Sequence, residues 1–446
     1  MASSAQTSSV NAYSPYSMYG LGELITPGNV QMRSMGGVGL GLRNIGQINT
    51  LNPASASIAP QKSFLFDVNF DATHYRNSQP KYTADGSYKA RTAYNTINIH
   101  NIGLAFSVAK NLGIQLNVTP YSSVGYKIKT IDQQFDNWAD IGRIQYQHAG
   151  EGDISEVKLA IGWAPIPRLL IGVAAKYYWG NIDRQYTTQF VDVVTGTGEY
   201  ASTIGTDTYS VNNFKFQFGV QVNIIHSDKH LLTLGATYDL GGRLNPRKES
   251  VVYTNNAYND YVSGGYPIKP ALDKLDLRLP HQVGIGLFYM SRTLSCGVDY
   301  NYSLWGYDNK SFDENTNAKD MVVAYDDTHS LKLGVEYTPR RTDARSYLNR
   351  MSYRLGARFG NYYQSFGGRP INLFAITAGV GLPMRLWGTS SVNVAFEYGR
   401  LSSPKSIQVS GQKVGLTTQN YYKISIGFTL FSVDVSDYWF VRQKFD

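Results

Sequence analysis

The chain of 446 residues offers seven histidines, a single cysteine and 33 acidic residues from which a reactive site could be built. A metal needs several His, Cys, Asp or Glu side chains converging at short spacings. Only His226 and His230 lie close together, in what reads as a tight turn, so no metal centre is expected. Cys296 stands alone in an alternating apolar run, which excludes a disulfide framework and reads as a small apolar side chain, buried or facing lipid. Nucleophilic catalysis would show as a Ser at a strand-to-helix elbow, a zincin helix or a catalytic cysteine pattern, and none occurs. The run Ser34-Met35-Gly36-Gly37-Val38-Gly39-Leu40-Gly41 could cradle a phosphate only between a strand and a helix, and no such pair flanks it. Close backbone packing is the reading it supports. Neither a catalytic residue nor a cofactor is expected. The formal charge of +8 would suit a polyanion, but Lys and Arg are spread along the sequence without the dense run that marks nucleic-acid binding.

The elements that must hold these residues are easier to read. Tyr (34), Gly (43) and Phe (19) are abundant while charged residues make up 17%, a composition that fits pleated surfaces. The most apolar stretch, Ala160 to Ala175, is interrupted by Pro165, Pro167 and Arg168, so a membrane-spanning helix is excluded there. From Phe64 onward, alternating apolar and polar runs recur, beginning near Phe64, Thr96, Leu112, Ile154, Leu169, Asn213, Leu231, Val283, Leu294, Leu331, Ser352, Asn372, Val392 and Tyr422. Each has the length with which a tilted strand crosses a bilayer, about 9–11 residues. In the clearest, Phe214, Phe216, Phe218, Val220, Val222 and Ile224 alternate with Lys215, Gln217, Gly219, Gln221 and Asn223, which puts an oily set and a wet set on opposite faces.

The connections decide what the oily face meets. They are long from Arg76 to Ala93, short at Lys110-Asn111, long from Thr130 to Asp153, short from Pro165 to Arg168, long near Thr188 to Thr206, short from His226 to His230 and very long from Arg243 to Arg278. Later short turns at Met290 to Arg292 and Pro383 to Gly388, and a longer one from Pro339 to Arg350, fall on the same side. Short periplasmic turns opposite long extracellular loops mark an outer-membrane barrel. Closure is required, since an open edge would leave backbone groups unsatisfied in lipid. The expected fold is all-β, a transmembrane antiparallel barrel of about 14 strands over 63–431, in the cell outer membrane with lipid as its surroundings. Aromatics at Tyr177-Tyr178-Trp179, Tyr300, Tyr302 and Trp305, Tyr362-Tyr363, Tyr421-Tyr422, Trp163 and Trp387 are expected in interfacial girdles.

Phase then assigns charges. A Lys or Arg on the lipid face at the midplane costs about 2–4 kcal/mol, so Lys215, Glu336, Arg354, Arg358, Glu397 and Lys423 are expected in the lumen, with Glu336 opposite Arg354 as an ion pair. In the third strand Ile114, Leu116 and Val118 alternate outward until Pro120, which has no N–H for the ladder, so a bulge or kink is expected there. Small Ser122, Ser123 and Gly125 would leave room at the defect. Before the barrel, 12–62 has no sustained alternation and reads as a hatch within the lumen, held by Asn52, Pro53 and Ala54. Ser3-Ser4-Ala5 before Gln6 reads as a small-x-small cleavage site, making 1–11 a residual export signal or tail. A periplasmic tail is expected at 432–446.

The glycine-rich segment leading to Asn52-Pro53-Ala54 and then to these strands resembles the long-chain fatty-acid transporter (FadL-type) family of outer-membrane proteins. Leu279-Pro280-His281-Gln282-Val283-Gly284-Ile285-Gly286 is similar to that family's Leu-Pro entry into a strand after a long loop. The opening Ser14-Pro15-Tyr16-Ser17-Met18-Tyr19-Gly20 and the closing Trp439-Phe440-Val441-Arg442 with Lys444 resemble barrels of this type from Bacteroidetes. The resemblance implies passive uptake of a hydrophobic, fatty-acid-like molecule, a shift of the hatch, and exit through a lateral gate at the third-strand kink, here Pro120, Ser122, Ser123 and Gly125. The tail after the last strand departs from the transporter pattern. It leaves a second reading open: a partner-binding barrel, similar to type IX secretion shuttle barrels or to accessory subunits of barrel-assembly machinery, whose loops and tail dock outer-membrane or periplasmic proteins.

Overall fold

A computed structural model of the chain describes residues 13–60, 63–83, 86–131, 143–191, 202–227, 229–244, 246–255, 273–274, 277–309, 314–315, 322–343, 345–384, 390–403, 406–409 and 412–432. The export remnant expected at 1–11, Trp387 and the tail from 433 onward lie outside the described residues.

Fourteen strands form the wall: β1 (Phe64–Thr83), β2 (Gly86–Ala109), β3 (Leu112–Ile131), β4 (Arg143–Ile166), β5 (Leu169–Val191), β6 (Ser202–His226), β7 (His230–Asp239), β8 (Gln282–Ser291), β9 (Leu294–Ser303), β10 (Thr328–Tyr337), β11 (Ser352–Phe366), β12 (Arg369–Pro383), β13 (Ser391–Ser402) and β14 (Thr418–Ser432). Each pairs antiparallel with the next. Pairing of β14 with β1 closes the sheet, which is what allows a β-structure to survive in hydrocarbon. The two-residue period is realised as two environments. Phe214, Phe216 and Phe218 are 61%, 46% and 48% exposed, while Gln217 and Gln221 between them are 5% and 0% exposed. The outward set is the lipid belt, and the polar set turns into a filled interior.

The strands run further than the apolar alternation does. Arg76 to Ala93, expected as a long loop, is a paired hairpin in which β1 reaches Thr83 and β2 starts at Gly86. Likewise β3 and β4 extend the ladder over the expected gap from Thr130 to Asp153. The segment Arg247–Asn255 pairs with the upper part of β6 inside the very long connection. Beyond the lipid both faces of a strand meet water, so the apolar period fades while the backbone ladder continues.

The aromatic girdle is thinner than expected. Tyr178, Trp305, Tyr362, Tyr363 and Tyr421 are 4%, 2%, 6%, 1% and 6% exposed and belong to the interior. Neighbours in a strand face opposite ways, so of Tyr177-Tyr178 or Tyr421-Tyr422 only one can face lipid. Tyr362 and Tyr363 sit where the register between β11 and β12 shifts, from Asn361 to Ser365, and both turn inward. Trp163 and Tyr300 do face out, at 50% and 44% exposure.

Residues 13–60 lie inside this wall. They form a 3-10 turn (Pro15–Met18), a two-residue strand (Glu23–Leu24), a single helical turn (Val30–Arg33) and a second 3-10 turn (Pro53–Ile58). Asn29 and Asn52 cap the two latter turns, accepting from Met32 N and Ala54 N respectively, as short polar side chains at N-caps do. Met32, Met35, Val38, Leu40 and Leu51 cluster with Phe288 of the wall, so the segment has an apolar core of its own against one side of the lumen.

Candidate functional site

The lumen is built by what the wall leaves out. Gly113, Gly162, Gly172 and Gly219 lie opposite one another across β3 to β6, and Gly334 faces Gly356 across β10 and β11. A Cβ at Gly172 would collide with the backbone of Pro53 and Ala54, one at Gly219 with the Asn52 side chain, and one at Gly356 with Met35 and Gly36. The N-terminal segment thus beds into troughs of missing side chains. The signal for these residues is in the sequence, as a glycine in the inward phase between two outward apolar residues: Ile171-Gly172-Val173, Phe218-Gly219-Val220, Leu333-Gly334-Val335. Sequence reasoning passed over it.

Polar contacts fix the segment in these troughs. The Arg33 guanidinium donates to both oxygens of Asp71 on β1, at 2.7 and 2.5 Å, and to Ser425. His100 Nδ1 and Lys423 Nζ stand 3.3 and 3.9 Å from the same carboxylate. Asp299 on β9 accepts from Gly39 N and Leu40 N at 2.7 and 2.9 Å, and Lys158 Nζ donates to Thr50 O at 2.7 Å. At the short-turn end Arg43 donates to Pro167 O, Arg168 O and Gln221 O, with burial lowering its guanidinium to about 10. Asn52 Nδ2 donates to Leu40 O at 2.9 Å and to Val220 O at 3.1 Å. Asn52, Pro53 and Ala54 therefore sit between β5, β6 and the glycine run.

The wall charges face the same interior. Arg354 Nε donates to Glu336 at 2.6 Å and its Nη1 to Asn393 at 2.8 Å. Arg358 donates to Glu397 at 2.8 Å, and Tyr421 donates to the same oxygen at 2.7 Å. Lys215 lies higher, half-buried, with Nζ donating to Arg243 O at 2.9 Å. Lys176 bonds Asp239, with Glu156 at 3.9 Å.

The wall changes character at Pro120. The β2–β3 ladder ends at Ile102 opposite Val118, two residues before the proline, although β2 continues its pairing with β1 up to Gly86. On the other side β3 stays paired to β4 through a register shift, Pro120 opposite Ser155 and then Ser122 opposite Ile154. Tyr121 is the extra residue, and its ring packs edge-on against Tyr178 at 4.9 Å. A proline cannot donate to a ladder, and a bulge bends the strand that carries it.

The N-terminal segment occupies the interval so created. Glu23 and Leu24 pair with Ser123 and Ser122, Ile25 N donates to Tyr121 O at 2.9 Å and Ser14 N to Gly125 O at 2.8 Å. The Tyr13 ring stacks on Tyr94 of β2 at 3.5 Å, so the segment touches both strands that have parted. Ser122, Ser123 and Gly125, expected to leave room, are filled by it. Gly22 at φ 85° passes Ser123 where a Cβ would collide with its carbonyl, and Tyr362 and Tyr363 donate to Gly22 O at 3.0 and 2.6 Å. Enclosure in the lumen pushes the Glu23 carboxyl upward, opposed by the bond from Gln419 and the charge of Lys423.

Behind this seal lies a cavity of about 300 Å³ that reaches from Pro120 and Tyr121 to Leu24, Leu51, Lys158 and Lys332. Its lining is part apolar and part charged. No helix of the described residues is long and apolar enough to cross a membrane; the crossing elements are the strands.

A closed antiparallel barrel with an oily belt, an inner N-terminal segment and a third strand parted from the second defines the class: an outer-membrane β-barrel of the FadL-type fold. The solved structures agree on that fold. A Pseudomonas aeruginosa FadL homologue is 12% identical with a TM-score of 0.55, covering 92% of this chain and 99% of its own. The Ralstonia pickettii toluene transporter TbuX is 12% identical at a TM-score of 0.54, covering 91% of this chain and 98% of its own. The P. putida toluene transporter TodX is 13% identical, also at 0.54, with 91% and 98% covered. The family model described as BamG matches residues 1–446, and the chain belongs to the BamG family. No protein among those with curated descriptions matches it.

Proposed function

We propose that the barrel is a conduit for hydrophobic, fatty-acid-like small molecules, held shut by residues 12–62 acting as a hatch, with release into the bilayer between β2 and β3. One observation carries the reading: the β2–β3 ladder stops at Ile102–Val118 and a cavity reaches that place from inside, lined there by Pro120 and Tyr121. Pro120, Ser122, Ser123 and Gly125 form the gate, and Glu23–Leu24 is the strand that must leave it. Asn52, Pro53 and Ala54 hold the hatch at the short-turn end. Of the lumen charges, Arg354 neutralises Glu336 and Arg358 neutralises Glu397, Lys423 stands near Asp71 and Lys215 bonds Arg243 O; none is given a ligand role. Apolar and charged lining together suit an apolar molecule with one polar end. In cells with an intact outer membrane, deleting the chain should lower the uptake rate of radiolabelled oleate or toluene by about tenfold, an effect of 1.4 kcal/mol on the barrier, and restoring it should recover the rate. Unchanged uptake of both probes contradicts the reading.

A second reading has its own support. Membership of the BamG family and an upper β2 whose Tyr88 is 59% exposed, with Lys89 and Arg91 also exposed, favour a partner-binding accessory subunit of a barrel-assembly or secretion complex. Stable co-purification of other outer-membrane proteins, together with unchanged uptake, selects it. The Ser14–Gly20 opening supports a source in the Bacteroidetes.

A further inference from the structure

A second feature lies on the outside of the barrel, away from the lumen. Across β10 to β14 one lipid-facing row runs Val335, Leu355, Ala378, Phe396, Ile424, and the next row toward the short turns runs Tyr337, Tyr353, Val380, Val394. Leu355 and Phe396 are 65% and 46% exposed, and Ala378 between them is too short to fill the row. The result is an apolar groove of about 630 Å³ in the wall, open to the hydrocarbon.

The groove ends on a charged foot. The connection from β10 to β11, longest of the short turns, is folded rather than slack: Asp343 accepts from Arg345 N, Ser346 N and Asn349 Nδ2, and Arg340 N donates to Asn349 O. Tyr347 donates to Pro383 O at the end of β12, and Tyr353 of the groove donates to Leu348 O, both at 3.2 Å. Arg350 lies over the Tyr347 ring at 5.1 Å, which puts its guanidinium beside the foot of the groove. Arg340 and Arg345 are exposed in the same turn, where Arg341 is turned to Glu336 at 3.5 Å, and Lys110, Arg168, Lys229 and Arg292 are exposed on the other short turns. Among the described residues of those turns Asp343 is the only acid, and its carboxylate is engaged within the turn. Leu348 at 63% exposure and Tyr347 at 44% add apolar surface at this end.

We infer that this groove and turn form a binding site for one diacyl phospholipid with an anionic headgroup, drawn from the leaflet on the short-turn side. An acyl chain lies along Val335, Leu355, Ala378 and Phe396, while the phosphate meets Arg350 and the neighbouring arginines. Dispersion favours a chain that fills the dip at Ala378, and a guanidinium gives a phosphate directed, charge-assisted hydrogen bonds. The flank of a second barrel would cover the groove, but the described residues of its short turns offer no acid beyond the engaged Asp343 to stand at the foot, so charge complementarity selects the lipid.

The test uses the full barrel in non-ionic detergent, offered equal amounts of dioleoyl-phosphatidylglycerol and dioleoyl-phosphatidylcholine and read by native mass spectrometry. The wild type should keep one phosphatidylglycerol with a preference of about tenfold. Ala378→Phe, which fills the groove, and Arg350→Gln, which leaves the wall untouched, should each reduce that preference to near equality. Arg168→Gln, on a turn without a groove, should leave it unchanged, and millimolar inorganic phosphate should not displace the lipid. Equal retention of both lipids by the wild type, equal losses in Arg168→Gln and Arg350→Gln, displacement by free phosphate, or a protein instead of a lipid held at the groove would each overturn the inference.

Discussion

Deleting the segment before Ser63 is expected to turn a closed barrel into an open pore. A barrel of this strand number encloses a lumen too wide for inward side chains alone to fill, and here residues 13–60 pack into it beside the cavity of about 300 Å³. The wall closes on itself along fourteen ladders, and the deleted segment adds only the two-residue pairing of Glu23 and Leu24 with β3, so the wall should still fold and still migrate heat-modifiably on a gel. Inward groups such as Asp299 and Asp71 would be solvated, not stranded. Single-channel conductance in a planar bilayer should rise by about tenfold or more. Unchanged conductance in a folded deletion variant would mean that loops or wall side chains close the lumen.

Arg33→Ala should loosen the segment without dismantling the barrel. Its side chain is 2% exposed and that of Asp71 8%, and removing one member of a buried pair costs about 3–5 kcal/mol because a charge is left without its partner. His100 and Lys423 stay near Asp71, which places the effect at the lower end. Arg33 belongs to the segment and Asp71 to β1, so the loss falls on docking. Amide exchange over 30–42 should accelerate strongly while exchange in β10 to β14 stays as in the wild type. Arg33→Ala combined with Asp71→Ala should recover part of the protection. Arg354→Ala is the contrast: it breaks a wall-to-wall pair with Glu336 and should weaken the barrel while leaving exchange over 30–42 alone. Equal acceleration in both single variants would refute a hatch held by its own ion pair.

The strands were legible because lipid imposes a two-residue period on any wall that crosses it; eleven of the fourteen begin within four residues of where alternation does, while β2, β4 and β6 begin ten or eleven residues before Thr96, Ile154 and Asn213. Their upper halves were not, since water on both faces erases the period, and Arg76 to Ala93 looks like a loop until its ladder is traced. Pro120 was legible for a backbone reason, the missing donor. What fills the gap beside it was not: Glu23 and Leu24 meet Ser123 and Ser122 about a hundred residues later in the chain, and two residues carry no periodicity to read. Inward Tyr421 could have been placed correctly, because Ile424 and Ile426 already fix the outward phase and give it to Tyr422. The troughs of Gly172, Gly219 and Gly356 were written in the sequence as apolar-Gly-apolar triplets, and their meaning depends on a segment with no pattern of its own.

The central claim, that the interval between β2 and β3 is an exit which Glu23–Leu24 must vacate, is tested most directly by locking it. Leu24→Cys and Ser122→Cys in a Cys296→Ala background place two thiols on paired residues, and antiparallel partners stand about 4.5–5.5 Å apart between Cα atoms, within the range a disulfide spans. With the bond formed, uptake of oleate and toluene by cells with an intact outer membrane should fall to the level of cells lacking the chain, and reduction should restore it. Equal uptake in the oxidised and reduced states would show that the segment need not leave the interval, and the lateral route would be wrong.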